Sequence, residues 1–550
     1  MARSRLFRAL TQFVSEHEAA ADQGVGVARI REEIGRGDFL RRAGAASLAS
    51  AAVPLFAGCG SSHARGRERI AIVGAGIAGL SAALHLKDAG ISSTVYESSD
   101  RIGGRMHSNW TLWDDGQHTE WCGAMIDSDH RTIRGLAARF NVPLLDTIAA
   151  WAPGARDTAY LAGQYYPMAQ ADRDFAGIYP ILEKQLDLMG EAPTYLTATP
   201  EAKRLDHMSI EQWLQTYVPG GTQSQLGRLI FEAYRNEYGR ECSELSAVNL
   251  VSMLAVQKEY SKSGQINVLG YSDQRYTTAT GNQRIPMAIA KDLPAGSILL
   301  DNRMTAIRRM PNGRYELSID NAGTQQTEYY DRVILALPFI VLRGLDYSGA
   351  GFDAAKTNCI DNLGYGYHTK LHLQFHGRPW NGPGPWPQPT DGQIWTTEQF
   401  QSSIDFSLGQ SGSSGIIERF TGAAPAMIDT PRTPYASIDD SPIVKNEVKV
   451  FFEMLDTIWP GVSKHWNGKA TFGNAQADPN ILASYSSWLV GQCTTIAGQE
   501  ARRQGNVHFA GEHTSVAYQG FMEGGAASGM RAAAEILRDY RIKETSQRRP

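Results

Sequence analysis

The stretch Arg69-Ile70-Ala71-Ile72-Val73-Gly74-Ala75-Gly76-Ile77-Ala78-Gly79-Leu80 decides the fold. An apolar run ends in glycines spaced G-x-G-x-x-G, and Leu80-Ser81-Ala82-Ala83-Leu84-His85-Leu86 continues with helical spacing. The segment therefore reads as strand, tight turn, helix. Gly74 permits the turn, Gly76 leaves room for a pyrophosphate to approach the backbone, and Gly79 lets helix and strand pack closely. The unpaired N–H groups and positive dipole end of the helix then face the phosphates. A second apolar segment, Ser93-Thr94-Val95-Tyr96, ends in Glu97, an acid placed to accept hydrogen bonds from a ribose at the end of the second strand. A glycine turn in an ordinary α/β unit is the simpler alternative. Strand, helix and acid together favour dinucleotide binding.

At 550 residues the chain is long enough for two domains or one interleaved pair. Lys plus Arg number 53 against 57 Asp plus Glu, a formal charge of -4, so no global basic field suggests a nucleic-acid partner. Eleven Trp and 22 Tyr can serve as core or as pocket walls. The five cysteines, Cys59, Cys122, Cys242, Cys359 and Cys493, form no C-x-x-C pair and no Cys/His cluster. Neither a metal site nor a disulfide framework is expected.

Residues 1–66 read as a leader and linker. Ala43 to Gly58 is an apolar run of small residues after Arg41-Arg42, too short for a spanning helix and suited to a signal-peptide core. It ends at Phe56-Ala57-Gly58-Cys59, which resembles a bacterial lipobox with Phe56 in the usual Leu position. Gly35 to Arg42 resembles a twin-arginine export motif whose second arginine is Gly37. These features imply an extracytoplasmic bacterial location, periplasmic or anchored through a lipidated Cys59. A cytoplasmic protein with an N-terminal extension is the alternative.

After Glu97 come Ser98-Ser99-Asp100-Arg101-Ile102-Gly103-Gly104-Arg105. Arginines bracket a glycine pair, so backbone N–H groups and guanidinium donors can both meet phosphate. This E-x-x-x-R-x-G-G-R run resembles that of the flavin amine oxidase family, and the resemblance implies FAD. It also implies the family's fold, an α/β FAD-binding Rossmann-like domain interleaved with a mixed α+β substrate domain. On that pattern residues 67–130, 265–345 and 475–540 form the FAD-binding domain, 131–264 and 346–474 the substrate domain, and 541–550 a tail. Gly123 and Ala124 match a turn close to the flavin. Ile126 stands where amino-acid oxidases of the family carry a carboxylate-gripping Arg, so α-amino acids become less suitable substrates. Asp127 and Asp129 can attract a distal ammonium or form a solvated turn capping the helix that begins near Arg131.

Helical spacing is expected over His130 to Phe140, Ile181 to Met189, Ile210 to Tyr217 and Ser224 to Tyr238. Glu237 and Glu241 can line a cationic pocket, but solvated helix faces are the better reading. Ile298 to Leu300, Met304 to Ile307 and the run ending at Pro338 read as strands. The family places the strand containing Ile307 beside the adenine.

Two constellations carry the chemistry. Lys370 opens an alternating strand, Lys370-Leu371-His372-Leu373-Gln374-Phe375, where a charge is costly unless it has a task. The resemblance implies that Lys370 holds a water against flavin N5. His368 and His372, with no acid or metal partner in sequence reach, read as packing or surface residues. The second runs from Ser484-Tyr485-Ser486-Ser487-Trp488 through Gly511-Glu512 to Gly520-Phe521-Met522, similar to the C-terminal flavin motif of polyamine and monoamine oxidases. It implies that Trp488, Gly511, Glu512, Phe521 and Met522 contact FAD, and that Tyr485 and Phe521 flank the substrate nitrogen. Ser484 replaces the cysteine through which monoamine oxidases attach FAD, so the flavin is expected to be non-covalent.

The resulting expectation is an FAD-dependent amine oxidase. A neutral primary or secondary amine gives hydride from its α-carbon to flavin N5, forming an imine and then an aldehyde, while dioxygen becomes hydrogen peroxide. The rivals are an L-amino acid oxidase, an amine dehydrogenase with another electron acceptor, and a non-catalytic FAD-binding protein. The oligomeric state is unspecified.

Overall fold

The computed structural model describes residues 68–190, 192–257 and 263–540. The signal-like run, the twin-arginine-like segment, Cys59 and the tail from residue 541 lie outside the described residues. Among the described residues no helix is long and apolar enough to cross a membrane.

A five-stranded parallel sheet is assembled from four distant parts of the chain, in the order Val507–Phe509, Arg332–Leu335, Ile70–Val73, Thr94–Tyr96, Ile298–Leu299. The strand Ile70–Val73 is buried throughout, because both its edges are paired: Ile72 aligns with Ile334 on one side and Val95 on the other. That double burial accounts for its unbroken apolar composition. Across one face run the helices Ile77–Asp88 and Met522–Asp539. They cross with backbones nearly touching, since a Cβ on Gly529 would lie 2.0 Å from the Ala78 carbonyl oxygen.

A second, eight-stranded sheet has the order Tyr435–Ser437, Trp466–Asn474, His368–Phe375, Gly415–Gly422, Ser402–Asp405, Thr390–Thr396, Arg156–Leu161, Gln164–Tyr165. The helix Pro442–Ile458 covers its apolar face through Val444, Val448, Phe451 and Leu455, packed with Leu371, Leu373 and Phe375. The strand that carries Lys370 starts two residues earlier than expected and is buried at every position. Its polar alternation faces the interior, not solvent.

The helices between residues 168 and 254 share a separate core around Trp213, Tyr234 and Phe175. Their starts follow local chemistry: Ser209 and Gln212 form a capping box, and the Ser224 side chain accepts from the Gly227 N–H. The expected helices Ile210–Tyr217 and, within a residue or two, Tyr179–Met189, Gln225–Tyr238 and Arg131–Arg139 are present.

Candidate active site

The two glycine runs read from the sequence lie against each other. Gly74 adopts φ +105°, and a Cβ there would be 2.8 Å from the Ala336 carbonyl oxygen. A Cβ on Gly79 would lie 1.9 Å from the Gly74 oxygen, so helix and turn can meet only without side chains. Gly103 N–H donates to Ala75 O at 2.9 Å, and a Cβ on Gly104 would be 3.3 Å from the Gly76 Cα. The helix Ile77–Asp88 begins at Gly76 with no side-chain cap and no acid in its first turn. Its first N–H groups and its positive end are thus left for an anion. Glu97, 7% exposed, accepts from the Ala75 N–H at 2.7 Å and from Ser99 N–H and Oγ at 2.9 and 2.8 Å. Arg101 donates to Gly104 O and Arg105 to Glu512, both guanidinium groups partly exposed. Uncapped helix, glycine cradle, acid and arginines form a donor set that fits a dinucleotide's pyrophosphate and ribose.

The loop at Gly123 and Ala124 is pinned by Asn282, whose Nδ2 donates to both carbonyls at 3.0 and 2.7 Å. A Cβ on Gly123 would sit 3.0 Å from the Met522 side chain, which places this loop against the start of the last helix. Glu512 is engaged by protein on every side: it accepts from Arg105, from Ser486 N–H and Oγ at 3.1 and 2.7 Å, and from the Gly520 N–H at 2.8 Å. Opposing burial, these donors hold its carboxyl below the ordinary range. Its side chain therefore clamps three segments together, while the Gly511 N–H donates to Ser528 Oγ and the Gly511 carbonyl accepts from Thr514 and Ser528. Ile307 is wholly buried and its N–H donates to Asp346 O at 2.9 Å, so it offers an apolar side chain and no donor. The Trp488 carbonyl accepts from Ser246 N–H and Asn249 Nδ2, tying the C-terminal motif to the helical core.

Lys370 is 9% exposed, and its Nζ donates to Glu418 Oε2 at 3.1 Å. The same oxygen lies 2.8 Å from His372 Nε2. His372 therefore has the acid partner that the sequence reading did not find; the adjacent strand supplies it across 46 residues. Glu120, fully buried near Lys370, is pushed up to about 8 by desolvation, against hydrogen bonds from the Asn282 N–H and Ser108 Oγ.

His368 is likewise a connecting residue and not mere packing. Its ring is stacked between Phe420 at 4.6 Å and Tyr485 at 4.9 Å. Nε2 lies 2.5 Å from the Asn236 carbonyl, which can only accept, so Nε2 carries the proton and Nδ1 accepts from Ser484 Oγ at 2.6 Å. Burial lowers this imidazole to about 4. The Tyr485 hydroxyl donates to the Glu237 carbonyl. The Tyr485 ring rests on Gly520, where a Cβ would be 3.2 Å from Cδ2. Phe521, the next residue, packs on His130 at 5.1 Å and Tyr271 at 6.3 Å. Tyr485 and Phe521 thus flank the same turn.

Two acids differ from the sequence reading. Asp127 is 1% exposed, not part of a solvated turn, and its Oδ1 accepts from Ser272 Oγ and the Gln274 N–H. The helix Arg131–Arg139 is capped instead by Glu523 of the last helix, which accepts from Thr132 and Ile133 N–H at 2.9 and 2.8 Å. Asp127, Asp129 and His130 bring one ligand-type atom each within 4.8 Å of the others. Glu237 is half-buried and not a fully solvated helix face: desolvation, then the Asp127 charge, pushes its carboxyl up to about 8. Sequence reasoning missed Glu418, although Ile416-Ile417-Glu418-Arg419-Phe420 sets charges inside an apolar strand just as the Lys370 strand does.

The family model for "Flavin containing amine oxidoreductase" matches residues 77–537, and the chain belongs to that family. Polyamine oxidase 1 of Zea mays is 24% identical over 87% of this chain and 92% of its own length. An L-amino-acid oxidase of Siganus canaliculatus is 23% identical over 88% of each. Among solved structures, cyclohexylamine oxidase from Brevibacterium oxydans shares the fold with a TM-score of 0.71 at 18% identity, covering 86% of this chain and all of the other. The protein is a flavin-containing oxidoreductase that acts on amines.

Proposed function

We propose that this flavin-containing amine oxidoreductase is an oxidase of neutral primary or secondary amines that excludes α-amino acids. One observation carries the reading: Phe521 packs on Tyr271 at 6.3 Å and on His130 at 5.1 Å, and His130 lies within 4.8 Å of the carboxylates of Asp127 and Asp129. Acids in an apolar, aromatic setting draw in a cation and oppose a substrate carboxylate. Ile126, where the family resemblance expects the carboxylate-gripping Arg of amino-acid oxidases, is wholly buried and paired through its backbone with Tyr276.

Tyr485 and Phe521 hold the amine between ring faces and set the direction of its α C–H bond. Glu237, titrating near 8, accepts the ammonium proton so that the nitrogen lone pair is available. When bound, FAD would supply the two-electron acceptor for the α-carbon hydride, and dioxygen would take up those two electrons with two protons as hydrogen peroxide. The nitrogen lone pair closes the C=N bond, and water hydrolyses the imine to the carbonyl product with release of ammonia, or of the shorter amine when the substrate is secondary. Lys370 holds a water on the flavin side. Release of peroxide from an amine panel but not from L-amino acids supports this reading, and the reverse pattern overturns it.

The same proposal keeps the division into FAD-binding and substrate segments, and export with lipidation at Cys59. The mass of the mature N-terminal peptide from the native host tests the latter.

A further inference from the structure

The Lys370 strand contains a second, unexplained piece of chemistry. Glu418 is 3% exposed and His372 is fully buried. In the sheet His372 lies directly opposite Glu418, and Lys370 opposite Phe420, so the carboxylate reaches His372 across the strand and Lys370 along the diagonal. Trp113 and Trp121 stand edge-on to the His372 ring at 6.3 Å each, with Phe406 at 6.0 Å, which seals this end of the cluster. Gly473 lies opposite Lys370 on the other neighbouring strand. No side chain competes from there, and Lys370 Nζ reaches over Phe420 at 5.5 Å, toward the ring stack that ends in Tyr485.

A buried carboxylate is costly and persists only when paired. Here one oxygen receives both a lysine and an imidazole N–H. The lone pair of His372 Nδ1 has no partner among the described residues. His372 therefore acts only to hold the carboxylate, and the carboxylate in turn engages one of the three N–H donors of Lys370. The remaining two are directed away from the pair.

We propose that Glu418, held in place by His372, is the positioning residue of Lys370, fixing where the ammonium delivers its free N–H donors. The proposal rests on the oxidase reading above. Desolvation works against the charge of Glu418, yet Lys370 and His372 keep its carboxyl below the ordinary value, in accord with a permanent anion. Burial lowers His372, so it serves as a neutral donor. Glu120, from the strand Thr119–Glu120, Cys122 and His368 are further titratable groups close to Lys370.

The test is a double-mutant cycle on the holoenzyme, read as the anaerobic rate of flavin reduction by an amine that reduces the wild type. Lys370→Met and Glu418→Gln are each expected to slow reduction about ten-fold or more, with amine affinity changed less than about three-fold. The double variant should be no slower than Lys370→Met alone, because groups acting through one another are not additive. Glu418→Asp, which keeps the charge, should regain part of the rate, and the visible spectrum of bound FAD should shift alike in the two single variants. Additive losses, or a Glu418→Gln enzyme as fast as wild type, overturn the proposal. If Glu418→Gln does not fold, Lys370→Met/Glu418→Gln buries no unpaired ammonium and is compared with Lys370→Met: equal rates support the proposal, and a further fall contradicts it. A wild type that no amine reduces refutes the oxidase reading instead.

Discussion

Arg105 and Glu512 lie 407 residues apart in the chain, and the Arg105 Nη1 donates to Glu512 Oε1 at 2.9 Å. This pair joins the Gly103-Gly104 loop to the Gly511-Glu512 segment near the C-terminus. Glu512 is 6% exposed and Arg105 24%, so removal of the arginine leaves a buried carboxylate with only neutral donors. Arg105→Met is expected to cost about 3 kcal/mol of stability and to release FAD readily. Denaturant unfolding and ultrafiltration of the yellow holoprotein measure the two effects.

The crossing of Ile77–Asp88 and Met522–Asp539 has no room for a methyl group. A Cβ on Gly529 meets the Ala78 carbonyl at 2.0 Å, and one on Gly79 meets Gly74 at 1.9 Å. Backbone must move in both cases, at a cost of roughly 1–3 kcal/mol or more. Gly529→Ala should lower thermal stability with FAD still bound, whereas Gly79→Ala should weaken FAD binding as well, since the atom it strikes belongs to the phosphate turn. Melting curves with and without excess FAD separate the two.

Glu237 carries a carboxyl raised to about 8, first by burial and then by Asp127. It is protonated below that pH and becomes a base above it, while the free amine fraction also grows with pH. The rate of substrate oxidation should therefore rise from about pH 6 to about pH 9. Glu237→Gln should lower the rate about 10²-fold or more at pH 8 and leave a profile set by the amine alone. A Glu237→Gln profile identical to wild type would remove this acid from the account.

Much of this arrangement was legible in the sequence because local rules govern it. The strand, turn and helix around Gly74, the helices capped at Ser209 and Ser224, and the acid at Glu97 follow from periodicity and from which residue tolerates which backbone. The misreadings share a cause. The readings of His372 and Glu237 and the solvated-turn alternative for Asp127 rest on chain neighbours, and His372 and Asp127 take their partners from segments far away: Glu418 is 46 residues from His372, and Gln274 is 147 from Asp127. The cap of the helix at Arg131 comes from Glu523, 391 residues on from Thr132. Sheet register and helix packing create those meetings, and no spacing in the chain announces them. Lys370 was visible as an odd charge in an apolar strand. The same argument applied to Glu418 would have exposed its partner.

The central claim is that amines, and not α-amino acids, deliver electrons to the flavin of this protein. Anaerobic mixing of the purified holoprotein with polyamines, aromatic monoamines and L-amino acids, followed at the visible absorbance of the flavin, tests it directly. The account predicts bleaching by one class of amine, no bleaching by amino acids, and recovery of the colour with peroxide formation when air is admitted. Bleaching by L-amino acids with none by simple amines would contradict it.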